Sequence, residues 1–121
     1  MQVVIPYQNH EWQNLHAIAE AWIKSEPKSA DAWYFLAVSD WGLSKTSIAK
    51  TEFEKALSFN PQHLDVFLRQ SEIALKEMDF ERLDKIKASI EALNPNASEE
   101  LNIKISALKQ TRQLKDDTPN K

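Results

Sequence analysis

Apolar residues recur along this chain at helical rather than strand spacing. Trp12, Leu15, Ile18, Ala19, Trp22 and Ile23 form one stripe, Ile48, Ala49, Phe53, Ala56 and Leu57 another, and Phe80, Leu83, Ile86, Ile90 and Leu93 a third. Each follows i, i+3, i+4, i+7, the mark of a helix with one buried face. Shorter stripes fall between and after them: Trp33, Leu36 and Ala37; Leu64, Phe67, Leu68, Ser71, Ala74 and Leu75; Leu101, Ile105 and Leu108. The spacing predicts six helices over about 10–25, 30–42, 45–59, 63–77, 79–93 and 97–113. No window alternates with period two over a useful length, and Val3-Val4-Ile5 has no strand to pair with. The fold class is all-α.

The prolines organise these helices. Pro27, Pro61 and Pro95 are 34 residues apart, each closing one of the three main stripes. Proline lacks an N–H and clashes with the preceding turn, so it ends a helix. A fixed period of this length marks a repeat array. Ser29 is placed to cap the second helix and Gly42 to end it in a left-handed conformation, while Asn96 or Ser98 is expected to cap the last.

The middle unit resembles the tetratricopeptide-repeat family at nearly every signature position. Trp33-x2-Leu36-Ala37 supplies the aromatic, the leucine and a small residue. Ala49-x3-Phe53-x2-Ala56 supplies the second-helix core, and Pro61 closes the unit. Asp40 departs from the pattern, which has tyrosine there. The following unit is more degenerate: Phe67 and Ser71 fit its first helix, Leu83 and Ile90 replace small alanines, and Lys87 stands in the place of Phe53. Only the second half of the first unit is present, with Trp12, Ala19 and Pro27. The resemblance covers about residues 10–110 and implies a right-handed α–α superhelix of about six antiparallel helices, the last acting as a cap.

The resemblance also implies a use. In this family the first helix of each pair lines a concave face that takes an extended peptide or a partner helix. On this chain that face would carry Asp31, Tyr34, Val38 and Trp41, then Asp65, Leu68, Glu72 and Leu75 or Lys76. The lysines and asparagines with which family members clamp a chaperone's C-terminal carboxylate are missing, since Tyr34, Val38, Leu68 and Glu72 stand in those places. What remains is an apolar strip edged by carboxylates, suited to an amphipathic or mildly basic helix. A second possibility stays open, that the C-terminal helix folds over the strip. Trp22 takes the place held by Ala56 in the middle unit and is too large for a close helix partner. Either Val3, Val4, Ile5 and Tyr7 lie across it, or Trp12 and Trp22 form a second interface for a partner or for another copy of the chain.

Composition narrows the function classes. The 121 residues are 42% hydrophobic and 27% charged, as in an ordinary globular protein of one domain. One glycine argues against sheets with tight turns and against phosphate-binding loops. A net charge of −3 gives no basic footprint for nucleic acid, and the absence of cysteine excludes thiol chemistry. Residues 1–9 read as an N-terminal extension, 10–113 as the helical domain and 114–121 as a disordered tail. The start has no basic leader region, and its apolar run is too short for a signal peptide or membrane span. The chain as written is expected in the cytoplasm, while a piece of a longer protein could be periplasmic or membrane-tethered.

Little suggests chemistry. His16 and Glu20 stand at i, i+4 with His10 before them, a spacing read as a surface ion pair rather than a metal site. His63, beside Pro61, reads as exposed or capping. Neighbouring carboxylates such as Glu99-Glu100 do not face one pocket, and Ser44, Ser47 and Ser58 lack a His–Asp constellation. No catalytic, cofactor or metal residue is assigned. The expected function is a protein-interaction module: an adaptor, assembly factor or chaperone-like scaffold. The alternatives are a structural role, as a homodimer or stacked repeat, and a non-catalytic part of a larger enzyme or membrane-anchored protein.

Overall fold

The computed structural model describes the backbone of residues 11–117 and the side chains of residues 11–113. Val3, Val4, Ile5, Tyr7 and His10 lie outside the described residues, as do the proposed extension over 1–9 and residues 118–121. Six helices are present: α1 Trp12–Ser25, α2 Ala30–Gly42, α3 Thr46–Phe59, α4 Leu64–Glu77, α5 Phe80–Leu93 and α6 Pro95–Asp117. There is no strand among the described residues. None of these helices is long and apolar enough to cross a membrane. α6 continues to Asp117, into the segment expected to be a tail.

The helices and turns repeat with the period of the prolines. α1, α3 and α5 each have 14 residues, starting at Trp12, Thr46 and Phe80. Each is followed by a residue outside the helical region, Glu26, Asn60 or Asn94, whose φ is −134°, −142° or −153°. Proline causes this, because its ring bars the preceding residue from helical backbone angles. The turns after α2 and α4 also match. Ser44 (φ 66°) and Met78 (φ 54°) take left-handed conformations. The N–H of Lys45 reaches Asp40 C=O at 2.8 Å and that of Ser44 reaches Trp41 C=O at 2.9 Å; Asp79 and Met78 bond Ala74 and Leu75 in the same way, at 3.0 and 3.2 Å. These pairs satisfy the last carbonyls of each helix in a Schellman arrangement.

The chain forms two compact units, Met1–Val66 and Phe67–Lys121, with the boundary inside α4. In the first, α2 packs against both α1 and α3. Ala32, Tyr34, Leu36, Ala37, Val38, Ser39 and Asp40 of α2 are all buried, so the helix has no wide solvent face. A helix enclosed on most sides belongs at a core's centre. Leu15 and Ala19 of α1 and Ala49, Phe53 and Ala56 of α3 are fully buried around it. In the second unit α5 and α6 pack together in antiparallel fashion. Lys87 Nζ donates to Asn102 Oδ1 at 3.2 Å near the middle of the pair. Lys109 and Arg112 lie 5.5 and 5.9 Å from the Phe80 ring centre at one end. Leu83, Ile86 and Ile90 face inward from α5, and Leu101 and Ile105 from α6.

Two local expectations are corrected and one holds. Ser29 does cap α2, its Oγ accepting from Ala32 N–H at 3.2 Å. The last helix, however, is capped by Asn94, whose Oδ1 accepts from Ala97 N–H at 3.2 Å, and not by Asn96 or Ser98. Pro95 thus opens α6, a place where its missing N–H costs nothing. Nor does Gly42 form the left-handed C-cap, since Ser44 takes that conformation. Glycine is needed at 42 for space: a Cβ there would lie 2.2 Å from Trp12 Cδ2 and 2.5 Å from its Cγ. Because Cγ lies close to the backbone, the ring cannot swing clear without a new rotamer.

Two substitutions separate space from conformation. Gly42→Ala should destabilise the fold, overpacking against Trp12 (about 1–3 kcal/mol) outweighing the roughly 1 kcal/mol that alanine gains in a helix. Ser44→Gly should stabilise it by about 0.5–1 kcal/mol by relieving the left-handed residue. Urea denaturation midpoints that move in the reverse directions would refute both assignments.

Candidate functional site

The residues expected on a concave face are distributed unevenly between core and surface. In the first unit Asp31 and Asp65 are exposed in the first turns of α2 and α4, and Trp41 is half-buried in the last turn of α2. Tyr34 and Val38, also expected on that face, are only 6% and 2% exposed and belong to the core. The Tyr34 ring stacks on His63 at 5.3 Å and meets Phe35 and Phe53 at 5.1 and 6.1 Å. In the second unit Leu68 and Glu72 are half-buried and Lys76 is exposed. Glu72 pairs with Arg69 at 3.3 Å.

Trp12 and Trp22 are both half-buried and have partners within the first unit. Trp12 covers Gly42. The Trp22 ring stacks on Phe35 at 6.1 Å, and its Nε1 donates to Glu26 Oε2 at 3.2 Å.

His63 caps α4, as one reading of the sequence had it, but it is buried rather than exposed. Its Nδ1 accepts from Val66 N–H at 3.4 Å. Its Nε2 lies 2.7 Å from Asp31 Oδ1. With Nδ1 accepting from Val66, Nε2 carries the hydrogen that is donated to Asp31. Ser29 caps α2 at the same point of the period, 34 residues earlier.

A second polar cluster, not anticipated from the sequence, joins the three helices of the first unit. Asp40 of α2 is 2% exposed and Glu52 of α3 is half-buried. Burial, then a hydrogen bond to Asp40, then the charges of Asp40 and Glu20 push the Glu52 carboxyl up to about 9, opposed only by Lys45. Like charges in contact and loss of water both favour the protonated acid. His16 of α1 completes the cluster, its Nδ1 lying 3.0 Å from Asp40 Oδ1 and its Nε2 3.3 Å from Glu20 Oε1. The expected His16–Glu20 pair is therefore present, with a buried third member. Asp40 Oδ1 and Glu52 Oε1 are buried and receive no hydrogen bond. Among the described residues no group of three or more His, Cys, Asp or Glu is arranged to hold a metal ion. Overlaying the repeats would have exposed this cluster, because Glu52 falls where Ile18 and Ile86 stand one period away.

Charge separates the two units. Residues 1–66 hold five lysines, no arginine and eight carboxylates, whereas residues 67–121 hold ten of each sign. The whole net charge of −3 thus resides in the first unit. No family model matches the chain, and no characterised protein matches it in sequence.

The His63 assignment has a spectroscopic consequence. Long-range ¹H–¹⁵N correlation at mildly alkaline pH should show an unprotonated Nδ1 and a protonated Nε2. His63→Ala should cost about 1–3 kcal/mol in urea denaturation through loss of the cap and of the ring packed on Tyr34. The opposite tautomer would overturn the cap.

Proposed function

We propose that this chain is a protein-interaction module of tetratricopeptide type, an adaptor or assembly scaffold that holds a mildly basic amphipathic helix or extended peptide. The observation that carries this reading is the 34-residue recurrence, present both in the signature residues and in the backbone: equal helices before each proline, matching left-handed turns and a non-helical residue before each proline. Stacked units of this kind build extended surfaces that suit the binding of a partner.

The choice of partner rests on charge. Asp31 and Asp65 sit on the exposed side of helix first turns with Trp41 partly open, on a unit whose acidic residues outnumber its basic ones. An aromatic anchor supplies burial, and the carboxylates supply orientation and faster encounter with a cation-bearing partner. A second reading, self-association, is favoured by Ile103, which is 63% exposed on α6. The end of a repeat array is a surface that another copy can extend.

The two readings separate in solution. Calorimetric titration with amphipathic helical peptides of one hydrophobic face and net positive, neutral or negative charge should give the tightest binding for the positive peptide. That affinity should fall as salt rises to about 0.3 M. Trp41→Ala with Asp65→Asn should weaken it at least about tenfold, or 1.4 kcal/mol. Equal affinity for all three peptides, or an unchanged affinity in a folded double variant, would reject the proposal. Light scattering that shows a dimer lost on Ile103→Lys would favour self-association.

A further inference from the structure

We infer that Asp40, Glu52 and His16 form a one-proton lock that ties α1, α2 and α3 together and loosens as the medium turns alkaline. This inference stands apart from the proposed binding function, since it concerns the interior of the first unit.

The geometry requires three helices at once. Asp40 lies on α2, Glu52 on α3 and His16 on α1, and each touches the next through Asp40. Asp40 is almost fully enclosed, and one oxygen of each carboxyl group is buried with no hydrogen-bond donor. Two carboxyl groups in contact cannot both be ionised at modest cost, but they can share one proton as an O–H···O⁻ bond. In that state Glu52 donates to Asp40, and His16 faces the remaining Asp40 oxygen at 3.0 Å. The other charged groups are Glu20 on α1, which adds repulsion, and Lys45 in the turn between α2 and α3, which relieves it.

The repeat shows that the fold does not need this pair. Ala74 and Ile86 stand 34 residues beyond Asp40 and Glu52, and both are buried apolar residues, 0% and 6% exposed. The same two places in the period are thus filled by plain hydrocarbon in the next repeat. Replacing apolar residues by a buried aspartate and a half-buried glutamate sacrifices burial and adds a group that answers to pH.

The direction follows from proton counting. An ordinary glutamate loses its proton near 4.5, whereas folding holds it on Glu52 up to about 9. Between these limits the folded chain binds one proton more than the unfolded chain, so stability falls with rising pH. The contribution is fully present below about 4.5 and is lost once pH passes about 9. Above that, two carboxylates face each other across α2 and α3.

The test compares the full-length chain with Glu52→Gln, which keeps a donor toward Asp40 but cannot ionise. Urea midpoints measured from about pH 6 to 9 should fall steadily in the wild type. They should be flatter in Glu52→Gln and higher than wild type at the alkaline end. Refolding calorimetry in two buffers of different ionisation enthalpy should show uptake of about one proton near neutrality, absent in the variant. Asp40→Asn provides an independent arm. It removes the repelling charge, so its stability should begin to level off at lower pH than that of the wild type. Parallel pH profiles for wild type and Glu52→Gln, or equal proton uptake in the two, would overturn the lock.

Discussion

Everything in the first unit depends on α2 being enclosed by α1 and α3. A helix can be buried on nearly all sides only where its neighbours approach closely, and close approach demands small side chains. Ala32 and Ala37 on α2, Ala19 on α1, and Ala49 and Ala56 on α3 are all fully buried and supply that room. Phe53 and Tyr34 then fill the space the alanines leave. The same enclosure explains the glycine at 42, where the end of α2 lies flat beneath Trp12. It also explains why Asp40 cannot reach water and must find its partners on α1 and α3.

A large part of this was legible in the sequence, and the parts that were not share a cause. Helix positions follow from apolar residues at helical spacing, and the period follows from three prolines, because both signals are local. The errors came where one residue type has two uses. Proline 95 reads as a stop, yet its fixed φ and missing N–H suit it equally to open α6. Gly42 reads as a conformational device, but its role is the absence of a Cβ beneath a tryptophan from another helix. Tyr34 and Val38 read as surface because the resemblance places them on a face, whereas contacts distant in sequence decide their burial. His63 was legible as a cap and not as a core residue, since nothing local announces the ring of Tyr34.

The site was less legible than the fold for the same physical reason. Helical spacing says which side chains share a face but not which faces meet. Asp40 could be singled out as a departure from the family pattern, and Glu52 could have been singled out by its place among apolar equivalents. Their contact required the tight turn through Ser44 and Lys45, which returns α3 against α2.

Comparison of equivalent places separates architecture from chemistry within a single chain. Leu15, Ala49 and Leu83 lie one period apart and are all fully buried, so that place is architectural. Elsewhere the pairs diverge. Phe53 is fully buried, while its equivalent Lys87 is half-buried and bonded to Asn102. Asp40 and Glu52 answer to Ala74 and Ile86. The first unit therefore carries the larger aromatic core together with the Asp40–Glu52 pair, and the second carries neither. A carboxyl group as enclosed as that of Asp40 is sustained only where the surrounding core supplies enough stability to offset its desolvation. Tyr34 of α2, in contact with Phe35 of its own helix and Phe53 of α3, belongs to that surrounding core.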